Sequence, residues 1–195
     1  MAKKIMILCS SPHKDGKTNT MANWCVQGAS DAGAQVECID VANLNYKNNG
    51  CIACYGCQQS DKYECVVPDD ASALLKRFHE FDALVFATPI YFFGPNAQLK
   101  LILDRMFSLV KINPETGEFT FQSPGGQMAL ISTSGGDMDD GIGRADQLFN
   151  MVAGFQGSKY SSLLVPNSPN DPQELLADAD LKEKAIAFGR ALAAD

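Results

Sequence analysis

The sequence predicts an α/β fold: a three-layer, doubly wound open sheet of five parallel strands. Short apolar runs recur at 5–8, 36–39, 83–87, 128–131 and 163–165, each bounded by polar or turn residues. Between them apolar residues fall at helical period, most clearly over 96–110, 143–155 and 181–194. Strands that are apolar throughout, interleaved with helices, are strands covered on both faces, as in a parallel sheet. With 195 residues, 46% hydrophobic and 20% charged, the chain is expected to form one domain spanning 1–195, with a core that needs no staples.

The elements follow in order. Residues 5–8 (Ile-Met-Ile-Leu) sit behind two lysines and are too few for a signal-peptide core, so they read as the first buried strand. A polar loop, 10–20, leads into a helix whose apolar positions begin at Met21. After the second strand comes a long segment, 43–68, that holds four of the seven cysteines. The third strand ends in Ala87-Thr-Pro89, and an aromatic loop precedes the helix of 96–110. A second long segment, 111–126, is rich in Gly, Pro and Thr. Long connections at a functional edge are more often working parts than spacers. The fourth strand gives way to Ser132-Thr-Ser-Gly-Gly-Asp137 and the helix of 143–155. After the fifth strand, Pro166-Asn-Ser-Pro-Asn-Asp-Pro172 turns the chain toward the last helix.

Charge and composition exclude some classes of function. A net charge of -7 argues against a nucleic-acid footprint, which is built from clustered Lys and Arg. Nowhere do 18 apolar residues run together, so no membrane-spanning helix is expected and the reading is a soluble, cytoplasmic protein. In that compartment seven cysteines are not a disulfide framework. Cys9, Cys25 and Cys38 read as small apolar residues of a strand or helix face.

In doubly wound sheets ligands sit beyond the C-terminal ends of the strands, so the loops there are the places to look. Ser10 to Thr20 crowds hydroxyls, Asn19, Gly16, Lys14 and Lys17 around a helix start. Free N–H groups, hydroxyl donors and the positive end of a helix dipole suit a phosphate dianion. A plain N-cap by Ser11 or Thr18 is the bland alternative. A sharper rival is a Walker A loop, which Ser11 to Thr18 fits at every fixed position except the first glycine. Against it, no acidic Mg²⁺ ligand stands at the end of the third strand. Three adjacent aromatics in Pro89-Ile-Tyr-Phe-Phe-Gly94 suit a flat, partly apolar ligand, or else a core plug or subunit contact. The loop of Thr133, Ser134, Gly135 and Gly136 is a third donor-rich loop on the same edge.

Cys51, Cys54 and Cys57 follow C-x2-C-x2-C, with Cys65 after seven more residues. Thiolates this close in one loop can reach the corners of a single cluster, whereas structural zinc sites use two separated pairs.

Taken together, the S-x-P-x-x-x-G-x-T loop, the T-P-I-Y-F-F-G loop with Leu99-Lys100 and Asp104-Arg105, the T-S-G-G loop, and the cysteine segment ending in Pro68-Asp69-Asp70 resemble the NADPH-dependent FMN reductase family. Within it, the chain looks like the branch containing flavodoxin-fold iron-sulfur flavoproteins. The resemblance runs from about 5 to 155 and implies a flavodoxin-like fold with strand order 2-1-3-4-5 and FMN as cofactor. By position, Ser11, Lys17, Thr18, Asn19 and Thr20 would hold the phosphate, with His13 standing where relatives often carry Arg. Pro89, Ile90, Tyr91, Phe92, Phe93 and Asn96 would face the isoalloxazine and ribityl chain, and Thr133, Ser134, Gly135 and Gly136 would close over the ring. For the cysteine loop the resemblance implies either a [4Fe-4S] cluster on Cys51, Cys54, Cys57 and Cys65 or free thiols, with zinc and a regulatory disulfide as weaker readings.

The function this implies is electron transfer from NAD(P)H or a reduced partner, through FMN, to a quinone, flavin or ferredoxin. The chemistry belongs to FMN, so no side chain is expected as acid or base. A non-enzymatic electron carrier and a P-loop phosphotransferase are the competing classes. Aromatics at the flavin edge lead us to expect a homodimer or homotetramer.

Overall fold

The computed structural model describes residues 2–122 and 126–194; Ser123, Pro124 and Gly125, within the expected 111–126 loop, lie outside the described residues, as do Met1 and Asp195. Eight strands are described, β1 (Lys4–Cys9), β2 (Gln35–Asp40), β3 (Ala83–Tyr91), β4 (Gly94–Pro95), β5 (Val110–Ile112), β6 (Phe119–Phe121), β7 (Gln127–Thr133) and β8 (Lys159–Val165). The helices are α1 (Lys17–Asp31), α2 (Asp70–Lys76), α3 (Ala97–Leu103), α4 (Gly143–Phe155), α5 (Pro172–Ala177) and α6 (Ala179–Ala194). The main sheet runs β2-β1-β3-β7-β8, with every neighbouring pair on that path parallel. It departs from the expected 2-1-3-4-5 only because the short strands β4, β5 and β6 intervene in the sequence.

The sheet alternates its burden between two apolar layers. On β1, Ile5 and Ile7 pack with Met21, Trp24 and Cys25 of α1 and Ala185 and Leu192 of α6. Met6 and Leu8 point the other way, onto Leu74 and Leu75 of α2, Leu99 of α3 and Phe149 of α4. All four are fully buried, which is why the run is apolar throughout. Each such side chain stabilises the fold by roughly 1.5–3 kcal/mol. On the first layer α1 and α6 meet through glycines: a Cβ on Gly28 would lie 1.9 Å from the Ile186 carbonyl oxygen, and one on Gly189 2.0 Å from that of Cys25. No side chain fits between the backbones there.

Three expectations change. The helix of 96–110 is α3 followed by a tighter 3₁₀ stretch, Asp104–Leu109, and then β5. Helical spacing continues through that stretch, but Arg105 is drawn inward to an ion pair with Asp69, so the chain turns onto the 43–68 segment. The 111–126 connection contains part of an antiparallel hairpin, β5 with β6, whose three-residue strands are too short to show alternation. Finally, the 166–172 turn leads into a separate short helix, α5, capped by Asp171 with Pro172 at its first turn, before α6 begins.

From β2 the chain crosses to the far side of β1 to form β3, so the order reverses at β1. The loops following β1 and β3 diverge from that point and leave a crevice between them.

Among the described residues no helix is long and apolar enough to cross a membrane.

Candidate functional site

The crevice is a cleft of about 550 Å³. Four loops line it, all at C-terminal strand ends. The loop after β1 supplies Ser11, His13, Lys14, Asp15 and Gly16; the end of β3 supplies Pro89, Ile90 and Tyr91; the end of β7 and the loop after it supply Thr133, Ser134 and Gly135; and the segment after β8 supplies Asn170 and Pro172. Lys17 and Thr18 complete the lining from the first turn of α1. Gly16 is the N-cap of α1 and no side chain caps the helix. Its first-turn N–H groups therefore face the cleft with the positive end of a 15-residue helix behind them. Two lysines against one aspartate give this wall a local positive balance within a chain of net charge -7.

A buried polar network fixes the loops. The Thr18 and Thr133 hydroxyls share a hydrogen bond at 2.8 Å, joining α1 to the end of β7. Ser10 Oγ donates to the Ala87 carbonyl at 2.9 Å and Ser132 Oγ to that of Thr88 at 2.9 Å, so β1, β3 and β7 are pinned where they stop. Asn96 Nδ2 donates to the Ser10 carbonyl at 2.6 Å while its Oδ1 accepts from the Leu99 N–H at the start of α3. Across the cleft, the Ser168 N–H donates to the Ser134 carbonyl at 2.8 Å and the Asn167 N–H to that of Gly136 at 2.8 Å. Every one of these groups has a partner, so the cleft wall is preorganised. Two buried acceptors nearby, Asn19 Oδ1 and Ser168 Oγ, have none among the described residues.

The sequence-predicted residues divide accordingly. Ser11, His13, Lys17, Thr18, Pro89, Ile90, Tyr91, Thr133, Ser134 and Gly135 line the cleft. Asn19 and Thr20 do not; Asn19 Nδ2 donates to the carbonyls of His13 and Lys14, and Thr20 Oγ1 to that of Gly16, so both shape the loop. Asn96, expected against the ring, is buried beneath the cleft with its amide occupied. Gly136 does not line it either; its carbonyl accepts from the Asn167 N–H and the Ser134 hydroxyl. Phe92 and Phe93 are the two central residues of the turn joining β3 to β4, with φ of 45° and 68°. Phe92 is 97% exposed and neither ring lines the cleft. The tip is held by Gly141, whose φ is 109° and where a Cβ would lie 2.6 Å from the Phe93 backbone. The sequence reading missed Asp15, Asn170 and Pro172. For the last two a signal existed, since 166–172 leaves the C-terminal end of a strand like the other three loops.

A second, smaller cavity of about 30 Å³ lies in the 43–68 segment. Cys51, Cys54, Cys57 and Cys65 all line it, with Ile52, Val66 and Phe107 as apolar wall. Ala53 and Tyr55 take left-handed conformations, φ 52° and 54°, which wrap the loop tightly around it. Lys111 Nζ donates to the carbonyls of Cys57 and Ser60, and Gln58 Nε2 to that of Val110 at 2.8 Å, so β5 braces the loop. Burial pushes the Cys57 thiol up. All seven cysteines are free, and among the described residues no three Cys, His, Asp or Glu side chains converge on a single metal ion. Of the remaining cysteines, Cys25 is buried in α1 and pushed up to about 12 by desolvation, whereas Cys38 is exposed on the edge strand β2. The small apolar role expected of Cys38 does not hold there.

Comparison with known proteins places these features in context. The family model for NADPH-dependent FMN reductase matches residues 3–167. An iron-sulfur flavoprotein of Methanocaldococcus jannaschii is 31% identical over 102 residues, 52% of this chain and 51% of that protein. One from Archaeoglobus fulgidus is 32% identical over 103 residues, covering 53% and 45%. These alignments span about half the length of those relatives. Among solved structures, an NAD(P)H:quinone oxidoreductase from Methanothermobacter marburgensis superposes with a TM-score of 0.70 over 98% of each chain at 18% identity. An FMN-dependent NADH-azoreductase from Bacillus anthracis, in complex with FMN, gives 0.72 at 16% identity over 97% of this chain and 99% of that one. At such identities the likeness is one of fold.

Proposed function

The chain belongs to the NADPH-dependent FMN reductase family, and on that premise we propose that it is an FMN-dependent oxidoreductase that passes electrons from NAD(P)H to an acceptor. The observation that carries this reading is the cleft itself. It has room for a mononucleotide flavin, an uncapped helix N-terminus with two lysines at one end, and an apolar wall of Pro89, Ile90 and Tyr91 at the other.

FMN, when bound, supplies the hydride acceptance and stepwise electron release that no side chain here can provide. The N–H groups opening α1, with the Ser11 and Thr18 hydroxyls and Lys17, would hold the phosphate. The Gly135 N–H would present a donor where negative charge grows on reduction, and its loop, fixed by the Ser134 N–H and hydroxyl bonds to the Val165 and Gly136 carbonyls, keeps the reorganisation small. Pro89 to Tyr91 would exclude water from one ring face. We read the cysteine cavity as the site of a [4Fe-4S] cluster. Four cysteines lining one cavity are the right donor set for such a cluster, and a cluster in the same chain as a flavin suits one-electron acceptors. The exposed Phe92 and Phe93 beside the cleft would then be a subunit contact, and we infer a homodimer or homotetramer. Light scattering should give a multiple of 21.0 kDa; a monomeric mass would remove that part of the reading.

Lys17→Ala is the direct test of the phosphate end. Charge-assisted hydrogen bonds contribute about 1.5–3 kcal/mol, so FMN affinity measured by fluorescence quenching should fall at least about tenfold. Riboflavin, which lacks the phosphate, should bind wild type and variant alike. Equal loss for both ligands would place the phosphate elsewhere.

A further inference from the structure

Arg105 is the largest fully buried side chain of the described residues, and nothing in the flavin cleft uses it. It leaves the 3₁₀ stretch after α3 and reaches into the wall of the cysteine cavity. One terminal nitrogen donates to Asp69 Oδ2 at 2.7 Å; the other donates to Cys65 Sγ at 3.3 Å and to the Val67 carbonyl at 3.3 Å. Both side chains of the ion pair are 1% exposed.

The charge balance is uneven. Asp69 Oδ2 also accepts the Lys47 N–H at 3.0 Å, and Oδ1 accepts the Ser72 N–H at 3.0 Å as the N-cap of α2. The carboxylate is thus shared among a guanidinium, two amides and a helix N-terminus. Arg105 Nε, meanwhile, is buried with no acceptor among the described residues. A cation this deeply buried is costly unless compensated, and the terminal nitrogen that Asp69 does not hold points its charge at Cys65, in the cavity lined by the four cysteines.

We propose that Arg105, fixed by Asp69, is a positioning residue that sets the reduction potential of a cluster on Cys51, Cys54, Cys57 and Cys65. The proposal rests on the cysteine cavity holding that cluster. Four thiolates make the site net negative, and each added electron makes it more so. A buried N⁺–H···S hydrogen bond stabilises the reduced form more than the oxidised one, which raises the potential. The same contact holds Cys65 Sγ, the sulfur that lies farthest in sequence from the compact C-x2-C-x2-C group.

Anaerobic spectroelectrochemical titration of the full chain tests this, with iron and sulfide assays and circular dichroism on the same samples. Arg105→Met should shift the cluster potential downward, because the positive charge and the donor to Cys65 are lost. Asp69→Asn should shift it upward, because the Arg105–Cys65 contact remains while its counter-charge is gone. Damage to the fold would move both the same way, so opposite signs identify the electrostatic role. If Arg105→Met does not fold or holds no iron, Asp69→Asn alone decides the sign. An unchanged or lowered potential in Asp69→Asn overturns the proposal. Wild-type protein without iron would instead remove the cluster reading, and the role of Arg105 with it.

Discussion

Asp69 shows how one side chain can hold two parts of the molecule. Burial works against its ionisation, yet the Arg105 guanidinium and the N–H groups of Lys47 and Ser72 prevail and bring the carboxyl down to about 2. A carboxyl depressed in the folded state contributes stability that is fully present above its unfolded pKa, near 4, and is lost as pH falls through its folded value. The contribution is on the order of 2 kcal/mol. Chemical unfolding of the wild type and of Asp69→Asn should therefore differ most at pH 5 and above. The gap should close by about that amount between pH 4 and 2. A difference independent of pH would show that Asp69 acts through shape alone. Sequence patterns cannot show this role, because Pro68-Asp69-Asp70 and Asp104-Arg105 carry the family resemblance as separate segments and nothing in either pairs Asp69 with Arg105. Their pairing depends on α3 tightening at Asp104, which brings residues 36 positions apart together.

At the scale of elements, the central strands were legible because both faces of the sheet are covered and their runs 5–8, 83–87 and 128–131 are apolar throughout, whereas Glu37 interrupts the run of the edge strand β2. The cleft loops were legible for a related reason: they carry hydroxyls, glycines and aromatics where a strand-to-helix link needs none. Residues that shape the cleft from beneath were not. Asn96 and Thr20 have the same chemistry as ligand-binding residues, and only the direction of their hydrogen bonds tells that they hold the loop instead. The aromatic tip misled for another reason. Positive φ at Phe92 and Phe93 is a conformation usually given to Asn and Gly, so no residue preference pointed to a two-residue turn there. The α1–α6 contact was equally hidden, since Gly28 in mid-helix looks like a weak point. Its backbone lies against that of α6, and Gly28→Ala should cost about 3 kcal/mol, the upper end of overpacking. Thermal unfolding would measure it. A stabilised variant, as expected for glycine replaced in an open helix, would mean that the two helices do not pack this way.

Across the whole molecule, the sheet places two unlike cavities at one edge. The larger sits at the C-terminal ends of β1, β3, β7 and β8, and the smaller within the segment between β2 and α2. A run of elements links them: Asn96 anchors the loop after β1 and caps α3, and α3 runs directly into the stretch that carries Arg105. A flavin in one and a cluster in the other would make the chain a converter between two-electron and one-electron partners. The most direct measurement is an anaerobic ultraviolet-visible spectrum of freshly purified protein, with iron and sulfide assays. The account predicts flavin bands near ~450 nm with a broad shoulder and about four irons per chain. A colourless protein that takes up no added FMN would contradict it.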